Sequence, residues 1–157
     1  ESLIQRAVER EWRVALIGGE PGVAELAAAT TQSCYPTVVL HAEDGGTVAL
    51  DGSDDAAGKS ARERIQRFAP QILLVAFGHP KQERWIEKYI NDFPSVKAVI
   101  GIGGTLDYWA GTKARAPIWM RSFGFEWLWR LIREPRRWER IIDAVIRFPI
   151  AFLLDRR

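Results

Sequence analysis

The chain has 157 residues, 47% of them apolar and 27% charged, a balance that excludes disorder and coiled coil and allows about two-thirds of the unfolded surface to be buried. One cysteine, Cys34, and two histidines exclude an intrachain disulfide framework and a structural zinc site, and point to a reducing compartment; no basic-plus-apolar leader predicts secretion. The net charge of +2 divides unevenly: residues 1–112 carry 11 Lys/Arg against 15 Asp/Glu, residues 113–157 carry 11 against 5, and four of the seven tryptophans lie in that basic end, a composition suited to phosphates or anionic lipid.

In chain order, the apolar run Arg13–Ile17 before Gly18-Gly19 reads as a buried strand. Pro21 and Gly22 open a helix with Val23, Leu26 and Ala27 on one face, and Thr37–His41 is a second strand. Residues 42–53 read as a loop and Asp54–Phe68 as a polar helix. Gln71–Phe77 is a third strand, ending at Gly78. Pro80 takes a favoured first-turn position in the next helix, whose stripe is Trp85, Ile86, Tyr89 and Ile90. Val96–Ile100 is the fourth strand, closed by Gly101-Ile-Gly-Gly104. Beyond Gly111, Phe123–Arg133 and Arg136–Ile146 read as helices split by Glu134-Pro135, and the apolar-rich run Ile141–Leu154 is too short and too charged to span a bilayer.

Alternating strands and helices with continuously apolar strands predict an α/β fold: a Rossmann-like, mostly parallel sheet of about four strands with helices on both faces, plus a C-terminal helical appendage. The expected division is a nucleotide-sugar-binding core over 1–112 and a basic, Trp-rich appendage over 113–157. Ligands of such sheets bind beyond the carboxyl ends of the strands. Three strands here end in glycine, which lets backbone approach a ligand.

Three loops and one helical segment are candidates for chemistry. Gly18-Gly-Glu-Pro-Gly22 opens a helix and favours an anion, or is a tight structural turn; it is not the full dinucleotide fingerprint, and no later acid is placed for a ribose. Gly78-His-Pro-Lys-Gln-Glu83 gathers an imidazole, an ammonium, an amide and a carboxylate: Gln82 could hold a sugar hydroxyl and Glu83 orient one or act as base, or Glu83 only complements a helix dipole. Gly101–Asp107, with Gly103 and Gly104, offers Asp107 to a ribose or base edge and Tyr108 or Trp109 for stacking, against an acidic first turn beside core aromatics. Arg115, Arg121, Arg130, Arg133, Arg136, Arg137 and Arg140 suit phosphate, or form a solvated face; Arg130–Arg133 and Arg133–Arg137 are neighbours at helical spacing. His41 and His79 have no second ligand at metal spacing, and Cys34 has no feature of a nucleophile.

Gly78–Glu83, Gly101–Asp107, Ala110-Gly111, Arg115-Ala-Pro-Ile-Trp119, Phe125–Arg130 and Arg133-Glu-Pro-Arg-Arg137, with Leu16–Gly19 and Pro21-Gly22, together resemble the WecG/TagA/CpsF glycosyltransferases, family 26. The resemblance implies a bacterial hexosyltransferase of surface-polysaccharide or teichoic-acid assembly. Such an enzyme moves a sugar, often of the N-acetylmannosamine type, from a UDP-sugar to a polyprenyl-diphosphate-linked acceptor. It implies no metal and no cofactor beyond the donor. It places the enzyme at the cytoplasmic face of the membrane, with an appendage that attaches to the anionic surface and supplies arginines. The resemblance maps the family's glutamine onto Gln82 and its aspartate onto Asp107, and draws its arginines from Arg130, Arg133, Arg136, Arg137 and Arg140. Together with the reading of the residues, Gln82, Glu83, Arg130, Arg133 and Arg137 are the expected catalytic set, and Gly18, Gly19, Gly78, Gly103, Gly104 and Asp107 the expected donor-binding set. Members run roughly a third longer and begin with a segment carrying the aspartate proposed as general base, which has no counterpart in the pattern here. The alternative expectation is therefore a catalytically incomplete UDP- or lipid-binding module; an NAD-dependent oxidoreductase is disfavoured by the incomplete fingerprint. Nucleic acid is not an expected partner, and an oligomer is left open.

Overall fold

The computed structural model describes residues 3–114, 116–133, 147 and 150, and the chain divides into two units, Glu1–Ala114 and Arg115–Arg157. The first unit is a four-stranded sheet in the order β2-β1-β3-β4, every pair parallel, formed by β1 (Arg13–Gly18), β2 (Val39–Glu43), β3 (Ile72–Ala76) and β4 (Ala98–Gly101). β1 pairs Val14 with Ile72 and Ile17 with Val75 on one side, and Arg13 with Val39 on the other.

Side chains alternate across a strand, so each central strand feeds two cores. Val14, Leu16, Ile72, Leu74 and Ala76 pack with residues of α1 (Leu3–Glu9), α2 (Val23–Cys34) and α5 (Thr105–Trp109). Ala15, Ile17, Leu73 and Val75 face the other way, onto α3 (Ala56–Phe68) and α4 (Lys81–Tyr89). β3 is buried at every residue and β1 at all but Arg13. Each large aliphatic side chain buried there contributes roughly 1.5–3 kcal/mol, so the central pair, and not the half-exposed edges β2 and β4, anchors the sheet. Both predicted helix-covered faces are present.

The differences from the sequence reading have local causes. β2 starts two residues late, because Val38 donates to the Tyr35 carbonyl and closes a turn at Pro36-Thr37. It runs on to Glu43, so His41 lies within the strand and the loop begins at Asp44. The buried face of α2 is Val23, Ala24, Ala27 and Ala28, while Leu26 points outward: small residues let the helix approach the sheet closely. Pro80 is the N-cap of α4, after a cis His79–Pro80 bond, and Ile90 falls in a 3-10 turn (Ile90–Asp92). α1 and α5 were not predicted: α1 does carry an apolar stripe, Leu3, Ile4, Ala7 and Val8, which the sequence reading passed over, and α5 has only five residues.

Loop 44–55 is pinned despite its glycines. Asp54, whose side chain is buried, accepts from Arg62 Nε at 2.7 Å and from the Trp85 indole N–H at 3.2 Å, and Arg62 also reaches Asp92. Asp55 caps α3 by accepting from Gly58 N–H.

In the second unit, α6 (Ile118–Ser122) and α7 (Glu126–Arg133) are joined through Phe125, whose N–H donates to the Met120 carbonyl at 2.8 Å. α6 was not predicted, and the helix expected from Phe123 begins at Glu126 because Phe123–Phe125 form the turn. The predicted helix 136–146 lies outside the described residues. Among the described residues no helix is long and apolar enough to cross a membrane.

Candidate functional site

The chain passes from β1 through α2 to β2 on one side, then crosses to β3 and β4 on the other. Strand order thus reverses between β1 and β3, and the carboxyl ends of these strands flank the crevice where open α/β sheets take ligands. The three glycine-bearing loops predicted as candidates all leave that edge.

Their glycines serve different ends. A Cβ on Gly18 would lie 2.7 Å from the Ala76 carbonyl carbon, so this glycine lets the ends of β1 and β3 approach; Gly19 follows with its N–H donating to the Ala76 carbonyl at 3.2 Å. Gly101 would place a Cβ 2.7 Å from Nε2 of Gln82, so the gap above β4 is filled by protein. Gly78, at φ +77, and Gly22, at φ +83, have nothing within 4 Å of such a Cβ and open outward. A Cβ on Gly103 would come 3.8 Å from Gln82 Oε1, and one on Gly104 3.5 Å from Asp107 Oδ2, both ordinary contacts.

Gln82 is buried in the first turn of α4, whose start is fixed by its own N–H bonding the Gly78 carbonyl at 3.0 Å. Its side-chain oxygen accepts from Gly103 N–H at 3.0 Å, and its Nε2 donates to Glu83 Oε1 at 3.0 Å. The other carboxylate oxygen of Glu83 is 3.3 Å from Nδ1 of His79, an exposed ring. Burial pulls the Glu83 carboxyl upward, but the Gln82 amide, its own backbone N–H and His79 outweigh that and hold it below the ordinary glutamate value. A depressed pKa weakens it as a proton acceptor near neutrality and suits it to receiving hydrogen bonds.

Asp107, in the short α5, is mostly buried and ion-paired to Lys113 Nζ at 2.9 Å, while its carbonyl accepts from Thr112 Oγ1 and Lys113 N–H. The structure thus brings Gly78, Gln82, Glu83, Gly103, Gly104 and Asp107 to two adjacent loops, with Gly18 and Gly19 beside them at the neighbouring strand end. Arg130 and Arg133 lie one turn apart on α7. Their side chains and that of Arg121, together with Arg115, Arg136, Arg137 and Arg140, lie outside the described residues.

One acid escaped the sequence reading. Glu43 closes β2 at the place where dinucleotide folds hold a ribose-binding carboxylate, but both its oxygens accept from Arg64, at 2.6 Å each, and one also meets His41 at 2.9 Å. Its spacing after Gly19 was the available signal. With its carboxylate so engaged, the oxidoreductase alternative loses its ribose anchor. Among the described residues no group of three or more His, Cys, Asp or Glu side chains could hold a metal ion, and Cys34 is exposed at the last turn of α2.

The chain is 34% identical over 144 residues to an N-acetylglucosaminyldiphosphoundecaprenol N-acetyl-beta-D-mannosaminyltransferase of Bacillus subtilis, covering 91% of this chain and 53% of that protein. It is 36% identical over 129 residues to the Staphylococcus aureus (strain MRSA252) protein of the same name, covering 82% and 46%. The chain spans about half the length of these curated relatives, so they exceed it by more than the third expected from the sequence pattern. The glycosyl transferase WecG/TagA/CpsF family model matches residues 1–157. The fold, the order of its glycine loops and these matches agree: the chain belongs to the WecG/TagA/CpsF glycosyl transferase family.

Proposed function

We propose that this chain carries the donor-binding part of a glycosyltransferase that moves an N-acetylmannosamine-type sugar from UDP to a polyprenyl-diphosphate-linked sugar. The observation that carries the reading is the convergence of the Gly78 and Gly103-Gly104 loops, tied by Gln82, at the carboxyl edge of a parallel sheet. Relatives named as mannosaminyltransferases acting on a diphosphoundecaprenol-linked sugar support the substrate class.

In this reading Gly78 and Gly104 give backbone room for the donor, and Asp107 accepts hydrogen bonds from it. An acceptor hydroxyl attacks the anomeric carbon, a C–O bond forms as the bond to the β-phosphate breaks, and UDP leaves with the configuration inverted. The hydroxyl proton passes to a base. Glu83 and Asp107 are the carboxylates of the two loops tied by Gln82, both already engaged by amide or ammonium. The charge on the leaving diphosphate is assigned to the guanidinium-rich segment, with Arg130, Arg133 and Arg137 its members, since paired arginine donors match phosphate oxygens. The same segment, 113–157, is assigned to an anionic membrane surface on the cytoplasmic side.

Calorimetric titration with UDP, run beside a radiolabelled-sugar transfer assay on a polyprenyl-diphosphate acceptor, tests this. UDP binding with transfer supports the full reading. UDP binding without transfer leaves a binding module, and the absence of any binding at millimolar UDP contradicts the proposal.

A further inference from the structure

We propose that Gln82 is a positioning residue: its amide fastens the loop after β4 to the first turn of α4 and so sets the spacing between the two loops of the site. This rests on the donor-site reading above, which supplies those loops with a ligand.

The amide is engaged at both ends. Its oxygen accepts from Gly103 N–H at 3.0 Å and its nitrogen donates to Glu83 at 3.0 Å. A primary amide accepts and donates from one planar group without carrying charge at any ordinary pH. A glutamate here would still receive the Gly103 N–H but would set a second carboxylate against Glu83. The residue is 7% exposed, so little of it is left for a substrate to touch. Gly101 completes the seat, since any Cβ there would fall 2.7 Å from Nε2 and 3.0 Å from Cδ of Gln82. Gly103 is held at φ +49, and Gly104 directly after it caps α5, which carries Asp107. Releasing Gly103 therefore frees the start of the helix that bears the carboxylate of the site. The glycine-rich loop after β4 and the glutamine after β3, separate motifs in the sequence, form one interlocked part.

A direct substrate contact and a clamp predict different behaviour in a double-mutant cycle on the full chain, read by amide hydrogen exchange at Gly103 without ligand and by UDP affinity. With a clamp, Gln82→Ala speeds Gly103 exchange about tenfold, the equivalent of one lost hydrogen bond, and weakens UDP binding. Gly101→Ala does the same by displacing the amide. The double variant is no worse than Gln82→Ala alone, because the added methyl then meets empty space. Gly103 exchange unchanged by Gln82→Ala, or losses in UDP affinity that multiply in the double variant, would overturn the clamp. Should Gln82→Ala fail to fold, the nearly isosteric Gln82→Glu retains the Gly103 acceptor and is expected to keep that amide protected; fast exchange there contradicts the proposal. The exchange readout needs no ligand, so a chain that binds no UDP would sink the donor-site reading while the clamp is still judged on Gly103.

Discussion

At Gly18 the backbone leaves β1 with φ +110 and lies so close to β3 that a methyl group would overlap the Ala76 carbonyl. At Gly78 the φ of +77 is equally closed to most side chains, but a methyl group would meet nothing. Gly18→Ala therefore combines strain with overpacking and should cost about 3 kcal/mol or more, whereas Gly78→Ala carries the conformational term alone, about 1–2 kcal/mol. Urea denaturation of the two variants measures this, and equal losses would show that the contact with Ala76 is not close. In the sequence both glycines read alike, as room for a ligand. The distinction was illegible because it depends on which atoms of a neighbouring strand stand opposite each Cα. Gln82 shows the same limit: its residue type suggested a sugar contact, while the structure uses its amide between Gly103 and Glu83.

Between elements, the carboxylate of Glu43 ties edge strand β2 to α3 through Arg64. Burial of the carboxyl acts to raise its pKa, but the two hydrogen bonds and charge of Arg64, with His41 added, prevail and hold it below its ordinary value of 4.5. The unfolded chain thus takes up this proton before the folded one does. The stabilisation is complete above the unfolded value and is lost as pH falls through the folded one. Glu43→Gln should flatten the decline of urea midpoint below pH 4.5, leaving the part due to Asp51, Asp55 and Glu83, whose pKa values are likewise lowered. A variant that declines as steeply as the parent contradicts this role. The central strands were legible because parallel strands buried on both faces must be apolar at every position, as Ile72–Ala76 are, and the edge strands by their short apolar runs, although β2 also carries His41 and Glu43. The short helices were not: α5 has five residues and buries little beyond Leu106.

For the molecule as a whole, alternation of strands and helices showed the α/β class, but not the order β2-β1-β3-β4 that makes the space between β1 and β3 a switch point. Strand order follows from which helix packs on which face, and the apolar strands here carry the same residue types on both. The charge asymmetry was legible as a basic end without its geometry. The donor-site reading stands or falls on UDP binding at the carboxyl edge, against the loops after β1, β3 and β4. Hydrogen–deuterium exchange of the full chain with and without saturating UDP tests it most directly. Bound UDP should slow exchange at residues 18–20, 78–83 and 101–107, with no change at residues 69–71 and 95–98 on the opposite edge. Protection confined to that opposite edge, or none at all under UDP, would contradict it.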